Sequence, residues 1–114
     1  MHTSPKMQEC IQECQTCAQV CLENVSHCLE KGGRHAEPGH IRLLLDCAEI
    51  CQTSANFMIR GSELHGRTCG VCADVCEACA KSCESFTDDA EMQRCAEECR
   101  RCAQSCREMA GMMA

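Results

Sequence analysis

The segment from Cys95 to Cys106, CAEECRRCAQSC, carries four cysteines in twelve residues with no glycine or proline among them. Thiols spaced by four, three and four fall on one face of a helix, with neighbouring Cβ atoms about 5 to 6 Å apart. The segment therefore reads as a helix bearing a line of sulfur. The same order, C-x-x-x-C-x-x-C-A-x-x-C, recurs in CIQECQTCAQVC from Cys10 and in CADVCEACAKSC from Cys72. A reduced copy, CAEICQTSANFM from Cys47, has Ser54 and Met58 in the third and fourth ligand places. Cys28 extends the first line and Cys69 the third. The candidate ligands are thus Cys10, Cys14, Cys17, Cys21 and Cys28; Cys47 and Cys51; Cys69, Cys72, Cys76, Cys79 and Cys83; and Cys95, Cys99, Cys102 and Cys106.

An isolated cysteine is usually a small buried hydrophobe. Cysteines repeated in register are different, because leucine in the same places would stabilise a core by about 2 kcal/mol each. Disulfides between side chains standing next to each other on one helix are strained, and disulfides are rare in a reducing cytosol. Metal binding remains, and thiolates select Cu(I), Zn(II) or iron–sulfur clusters. Zinc wants four converging ligands, usually with C-x-x-C pairs on turns. Here the C-x-x-C of CGVC from Cys69 lies inside a longer line. The ferredoxin-type pattern ends in Cys-Pro, and no cysteine of this chain precedes a proline. Cu(I) accepts two nearly linear thiolates, and a thiolate bridges two ions, so long sulfur faces suit it. A zinc or iron–sulfur scaffold and a thiol redox buffer stay as competing readings. The buffer is disfavoured because no isolated C-x-x-C stands at a helix N-terminus.

At one end, where the first and third lines begin and the second and fourth finish, the lines continue into Met7, Met58, His65, Met109 and Met113. Thioether and imidazole are neutral, exchangeable donors suited to receiving Cu(I) and passing it to thiolates. The opposite end carries Val25, Leu29, Leu44, Phe86 and Met92 and reads as an apolar plug. His27, His35 and His40 lie near that plug, where solvent-facing, capping and ligating roles are all open. Met1 and Met112 read as ordinary gap-filling at frayed ends.

The elements that position these residues follow from the breakers. Ser4-Pro5 opens a first helix, expected over 5–31, with serine as N-cap and proline at the first position, and Gly32-Gly33 closes it. A second helix is expected over 39–60, closed by Gly61. Ser62 caps a third over 63–85, whose first turns Gly66 and Gly70 weaken. Thr87, followed by Asp88 and Asp89, caps a fourth over 88–110. Short connections between long helices imply an all-α, antiparallel up-down-up-down four-helix bundle, one domain over 1–114. Ile11, Ala18, Leu22, Val25 and Leu29, with Leu45, Ala48 and Ile59, are expected at the helix contacts, and Ala96, Ala103 and Ala110 let the fourth helix pack closely.

Composition agrees with a core that sulfur must fill. Only 6 Leu, 4 Ile, 4 Val and 2 Phe are present beside 16 Cys. A net charge of −6, interspersed charges and the scarcity of aromatic rings disfavour a nucleic-acid surface. No apolar stretch approaches membrane-spanning length, and Met1 to Cys10 lacks a basic segment followed by an apolar run. A cytosolic protein is expected. No acid/base pair, phosphate loop or nucleophile–base arrangement stands out, so no enzymatic activity is expected.

With its three complete frames, the reduced frame at Cys47 and Cys51 and its Met/His end, the chain resembles the bacterial copper storage proteins over nearly its whole length. The likeness is to the branch without an export signal, although the methionine-rich end is similar to the exported branch. The resemblance implies that all 16 cysteines line a core that binds Cu(I), with roughly 8 to 16 ions per chain depending on how far thiolates bridge. It also implies ion entry at one end and assembly into homo-tetramers. A copper chaperone or a cuproenzyme is the expected exchange partner.

Overall fold

The structure is a computed structural model and describes residues 4–111. Four helices make up nearly all of it: α1 (Pro5–Lys31), α2 (Pro38–Ile59), α3 (His65–Glu84) and α4 (Ala90–Gly111), with a 3₁₀ turn at Gly33–Ala36. Each helix packs on two neighbours, in the ring α1–α2–α3–α4–α1. The direction of each is read from sulfur contacts. Cys10 near the start of α1 meets Cys106 near the end of α4, and Cys21 further along α1 meets Cys99. Cys51 and Cys47 of α2 meet Cys72 and Cys76 of α3 in the same reversed order. The bundle is therefore antiparallel, as expected, and elongated at 47 × 18 × 17 Å.

Helix ends show which local signals operate. Ser4 Oγ accepts a hydrogen bond from the Met7 N–H at 3.1 Å, and Gly32 and Gly33, both at positive φ, turn the chain out of α1. The end of α2 is a Schellman motif. The Gly61 N–H donates to Met58 O and the Ser62 N–H to Phe57 O, with Gly61 at φ 68°. Two expected caps move. Ser62 Oγ accepts from the Leu64 N–H in the turn before α3, which begins only at His65. At α4 the cap is Asp89 rather than Thr87. Asp89 Oδ1 accepts from the N–H groups of Glu91 and Met92, and carboxylate charge beside those unsatisfied donors is favourable. The helix α3 is continuous across Gly66 and Gly70, and a Cβ on Gly70 would lie 3.9 Å from that of Ala110 on α4.

Small residues, more than large aliphatics, make the helix contacts. The residue after the first cysteine of each frame (Ile11, Ala48, Ala73, Ala96) and the recurring alanine (Ala18, Ala55, Ala80, Ala103) are all buried. Leu22, Leu29, Leu45 and Ile59, expected at these contacts, are about half exposed instead. At about 100° per residue, Leu22 stands further round the helix from the sulfur line than Ala18 does. Val25 and Ala110 are half-buried against the core.

Candidate metal centre

All 16 cysteines are free thiols, and each has no solvent exposure. Nine of their sulfurs form one connected path along the bundle axis: Cys10, Cys106, Cys14, Cys102, Cys51, Cys76, Cys47, Cys99, Cys21. Successive Sγ–Sγ distances along it run from 3.6 to 4.0 Å. Cys17 joins it through Cys47 and Cys99, each at 3.8 Å, and Cys72 through Cys51 at 3.6 Å and Cys76 at 3.8 Å. The four sulfur lines read from the sequence thus converge on one interior.

Within it, quartets of thiols have all their sulfurs within 4.8 Å of one another: Cys14, Cys72, Cys102 and Cys106; Cys17, Cys21, Cys47 and Cys99; Cys17, Cys47, Cys51 and Cys76; Cys51, Cys72, Cys76 and Cys102. Cys10, Cys69 and Cys106 form a further trio. With metal–sulfur bonds of about 2.3 Å, two sulfurs on one ion stand about 4.0 Å apart in a trigonal site and about 4.6 Å apart in a linear one. The spacings therefore need little change to admit metal. The quartets also overlap, since Cys17, Cys47, Cys51, Cys72, Cys76 and Cys102 each belong to two. Tetrahedral ions with exclusive thiolates can therefore fill at most two of the four quartets at once, whereas ions sharing bridging thiolates can fill them all, which is the habit of a soft monovalent ion such as Cu(I).

The electrostatics point the same way. Adjacent S–H groups, those of Cys17 and Cys102 foremost, hold the Cys47 and Cys72 thiols below their ordinary range. Neighbouring sulfurs push Cys51, Cys99 and Cys106 above it, and burial adds to the rise. Cys69, beside Cys10 and buried, is pushed up to about 12. A few thiolates are thus stabilised by donors around them, while each further one meets negative charge in a medium that solvates it poorly. Deprotonating the whole core requires an equal supply of bound positive charge.

Of the donors expected at the methionine end, Met58 and Met109 are buried in the core, and Met7 and His65 are half-buried at its edge. The His65 Nδ1–H donates to Ser62 O at 2.9 Å, which leaves Nε2 with its lone pair. Met113, like Met1 and Met112, lies outside the described residues. Ser54 is fully buried, and its hydroxyl has no hydrogen-bond partner among the described residues.

The opposite end differs from the expected apolar plug. Leu44, Phe86 and Met92 are buried there, but Leu29 is exposed, and polar groups stand at the same end. Asp89 Oδ2 accepts from His27 Nε2 at 2.7 Å and His35 Nε2 at 2.9 Å, and Glu91 lies 3.1 Å from His27 Nδ1. Burial alone would raise the Asp89 carboxyl, but the bonds from His27, the Met92 N–H and His35 hold it well below the usual carboxylate range. His40 is buried, with Nε2 3.4 Å from Cys28 Sγ and Nδ1 2.7 Å from Ser82 Oγ, and its burial lowers the imidazole pKa. The Cys28 thiol is pushed up to about 11 by burial and by the nearby Asp89 charge. A signal for His40 was present, since 40, 44, 47, 51, 54 and 58 continue one alternation of four and three along α2.

Outside the core, a surface cleft of about 700 Å³ between α1 and α4 is lined by Asn24, His27, Glu98 and Arg101 among others and holds no sulfur. Glu98 is buried there, and burial with the neighbouring Glu13 pushes its carboxyl up to about 8.

The model of the copper storage protein family matches residues 3–111. A protein of Nitrosospira multiformis with a crystal structure is 50% identical, over 96% of this chain and 99% of that one, with a TM-score of 0.90. A Cu(I)-bound copper storage protein of Bacillus subtilis is 37% identical, over 92% and 98%, with a TM-score of 0.85. A cytosolic copper storage protein of Streptomyces lividans, carrying five coppers, is 31% identical, over 96% and 95%, with a TM-score of 0.83. The chain also matches an uncharacterized cysteine-rich protein of Bacillus subtilis at 38% identity over 68 residues, spanning 63% of that relative's length.

Proposed function

The chain belongs to the copper storage protein family, and from that premise we propose that it binds and stores many Cu(I) ions through the thiolates of Cys10, Cys14, Cys17, Cys21, Cys28, Cys47, Cys51, Cys69, Cys72, Cys76, Cys79, Cys83, Cys95, Cys99, Cys102 and Cys106. The observation that carries this reading is the path of free, fully buried sulfurs 3.6 to 4.0 Å apart along the axis. Each arriving ion displaces thiol protons and supplies the charge that lets the next thiolate form. Bridging sets the capacity at roughly 8 to 16 ions per chain. The helices are held by caps and alanine contacts that do not involve metal, so loading stabilises a fold already present.

Met7, Met58, His65 and Met109 are the entry, with Met113 beyond the described residues. The role is non-enzymatic, the whole chain acting as one unit. Free thiols throughout suit a reducing cytosol, and among the described residues no helix is long and apolar enough to cross a membrane. Half-exposed Leu22, Leu29, Leu45 and Ile59 are surface that assembly into tetramers would cover, and a copper chaperone or a cuproenzyme is the natural exchange partner.

The test is an anaerobic Cu(I) titration of the fully reduced protein against a competing chelator, with metal and thiols counted in the same sample. Roughly 8 to 16 tightly held ions with an unchanged helical signal supports storage. Saturation at one to four ions, or displacement of copper by zinc, overturns it.

A further inference from the structure

We propose that Cys28, His40 and Met92 form a separate mixed-donor Cu(I) site at the end of the bundle away from Met58 and Met109. The proposal rests on the storage reading and extends it from thiolate sharing to a site of different chemistry. Cys28 Sγ lies 3.4 Å from His40 Nε2 and 3.7 Å from Met92 Sδ. By contrast Cys51 touches the thiols of Cys72, Cys76 and Cys102. The sulfur line of α1 thus ends on an imidazole and a thioether. The three donors come from α1, α2 and α4, and all are buried. Metal bonds of about 2.3 Å to sulfur and about 2.0 Å to nitrogen put trigonal donors about 3.7 to 4.0 Å apart. Opening the Cys28–His40 and Cys28–Met92 contacts by a few tenths of an ångström brings both pairs to that spacing.

The remaining helix, α3, completes the site without ligating. Its Ser82 Oγ lies 2.7 Å from His40 Nδ1. With the proton on Nδ1 and donated to that hydroxyl, Nε2 presents its lone pair toward Cys28, the arrangement in which an imidazole binds metal. The Phe86 ring, its centroid 4.8 Å from that of His40, packs on the imidazole. Charge also balances. One thiolate, a neutral imidazole and a neutral thioether around one Cu(I) sum to zero, which a buried position tolerates. An ion held by two unshared thiolates would be left negative. Zn(II) in the same place would keep a net positive charge and lack a fourth ligand. Ser82 is a positioning residue, and the three donors are the ligands.

The experiment uses the full reduced chain under anaerobic conditions. Cu(I) is titrated against a chelator into the wild type, His40→Gln and Ser82→Ala, with helical content checked in the apo state and imidazole ¹⁵N spectra taken through the wild-type titration. The expected result is one ion fewer per chain in His40→Gln, about a tenfold or greater loss of affinity for that same ion in Ser82→Ala, and a large shift of the wild-type His40 Nε2 resonance on loading. An unshifted His40 Nε2 in fully loaded wild type overturns this site even if a variant fails to fold, and storage by the remaining thiolates stands. Tight binding of a single ion that shifts His40 overturns storage and leaves the site. No tight Cu(I) at all overturns both.

Discussion

The two ends of the bundle are built from different chemistry. At the methionine end the lines of sulfur run out into Met58 and Met109, buried, and Met7 and His65, half-buried; the helix turn there is tied by backbone bonds of the Gly61 motif. At the other end Asp89 holds the first turn of α4 and receives both His27 and His35, while Arg34 reaches from the 3₁₀ turn to Ser85 and lies over Phe86. One end brings neutral soft donors out to half-buried Met7 and His65, whereas His40 and Met92 opposite are buried. The other is cross-linked by directional, partly charged bonds among α1, the 3₁₀ turn and α4. A container for an exchangeable ion needs this asymmetry, because loosening both ends would give up the register of the sulfurs and closing both would deny entry.

The largest break in that contrast is Asp89→Ala. It removes a helix cap and leaves His27 and His35 without their shared acceptor, so the apo protein should lose about 1 to 2 kcal/mol and melt about 5 to 10 °C lower. Copper capacity should hardly change, since no ligand is removed. Thermal melts and a titration on the same preparation check both halves. Replacing Met58 and Met109 together by leucine should do the reverse. Leucine for methionine conserves volume, so each change should cost under about 1.5 kcal/mol and capacity should stay within an ion or two. Transfer of Cu(I) from a chelator should slow several-fold, and stopped-flow transfer at wild-type speed would remove these methionines from the entry path.

Acid separates the ends through Asp89. Its carboxyl is held below the ordinary value of 3.8, so its pairing adds stability that is fully present above that pH and is lost as pH falls through the lower folded value. The methionine end has no comparable half-buried carboxylate among the described residues. Below pH 4, amide protection relative to the intrinsic exchange rate should therefore fall first at Glu91 and Met92, whose N–H groups bond to Asp89, and later around Met58 and Gly61. Simultaneous loss at both ends would mean that the bundle opens as one unit.

Most of this architecture is legible in the sequence, because a cysteine frame repeated once per helix marks the helices and their inward faces together. The caps are less legible. Thr87 and Asp89 are both good capping residues two positions apart, and Asp89 prevails because His27 and His35, distant in sequence, converge on the same carboxylate. Leu22, Leu29, Leu45 and Ile59 mislead for another reason. A helix whose inward stripe is cysteine and alanine approaches its neighbours closely, and large aliphatics at the margin of that stripe are left outside. His40 sits on the α2 line, but a line defined by its sulfurs stops at Cys47, so solvent-facing, capping and ligating roles all stay open for it until Cys28 is placed against it.

The smallest change sharpens the contrast at the methionine end. Ser54 lies three residues after Cys51 and four before Met58, where the other frames carry a thiol. It is wholly buried, and its hydroxyl has no partner among the described residues. A buried unpartnered hydroxyl costs on the order of 1 to 3 kcal/mol, whereas a thiol is a weaker donor that tolerates apolar and sulfur neighbours. Ser54→Cys should therefore raise apo stability by about 1 kcal/mol and add at most one Cu(I) per chain in the chelator titration. The two readouts separate two roles for the position. A gain in stability without a gain in copper would show that the sulfur path ends at Cys51 on α2 because ions do not travel past it on that helix. A gain in both would show that the path reaches toward Met58 and is interrupted there by a single missing sulfur.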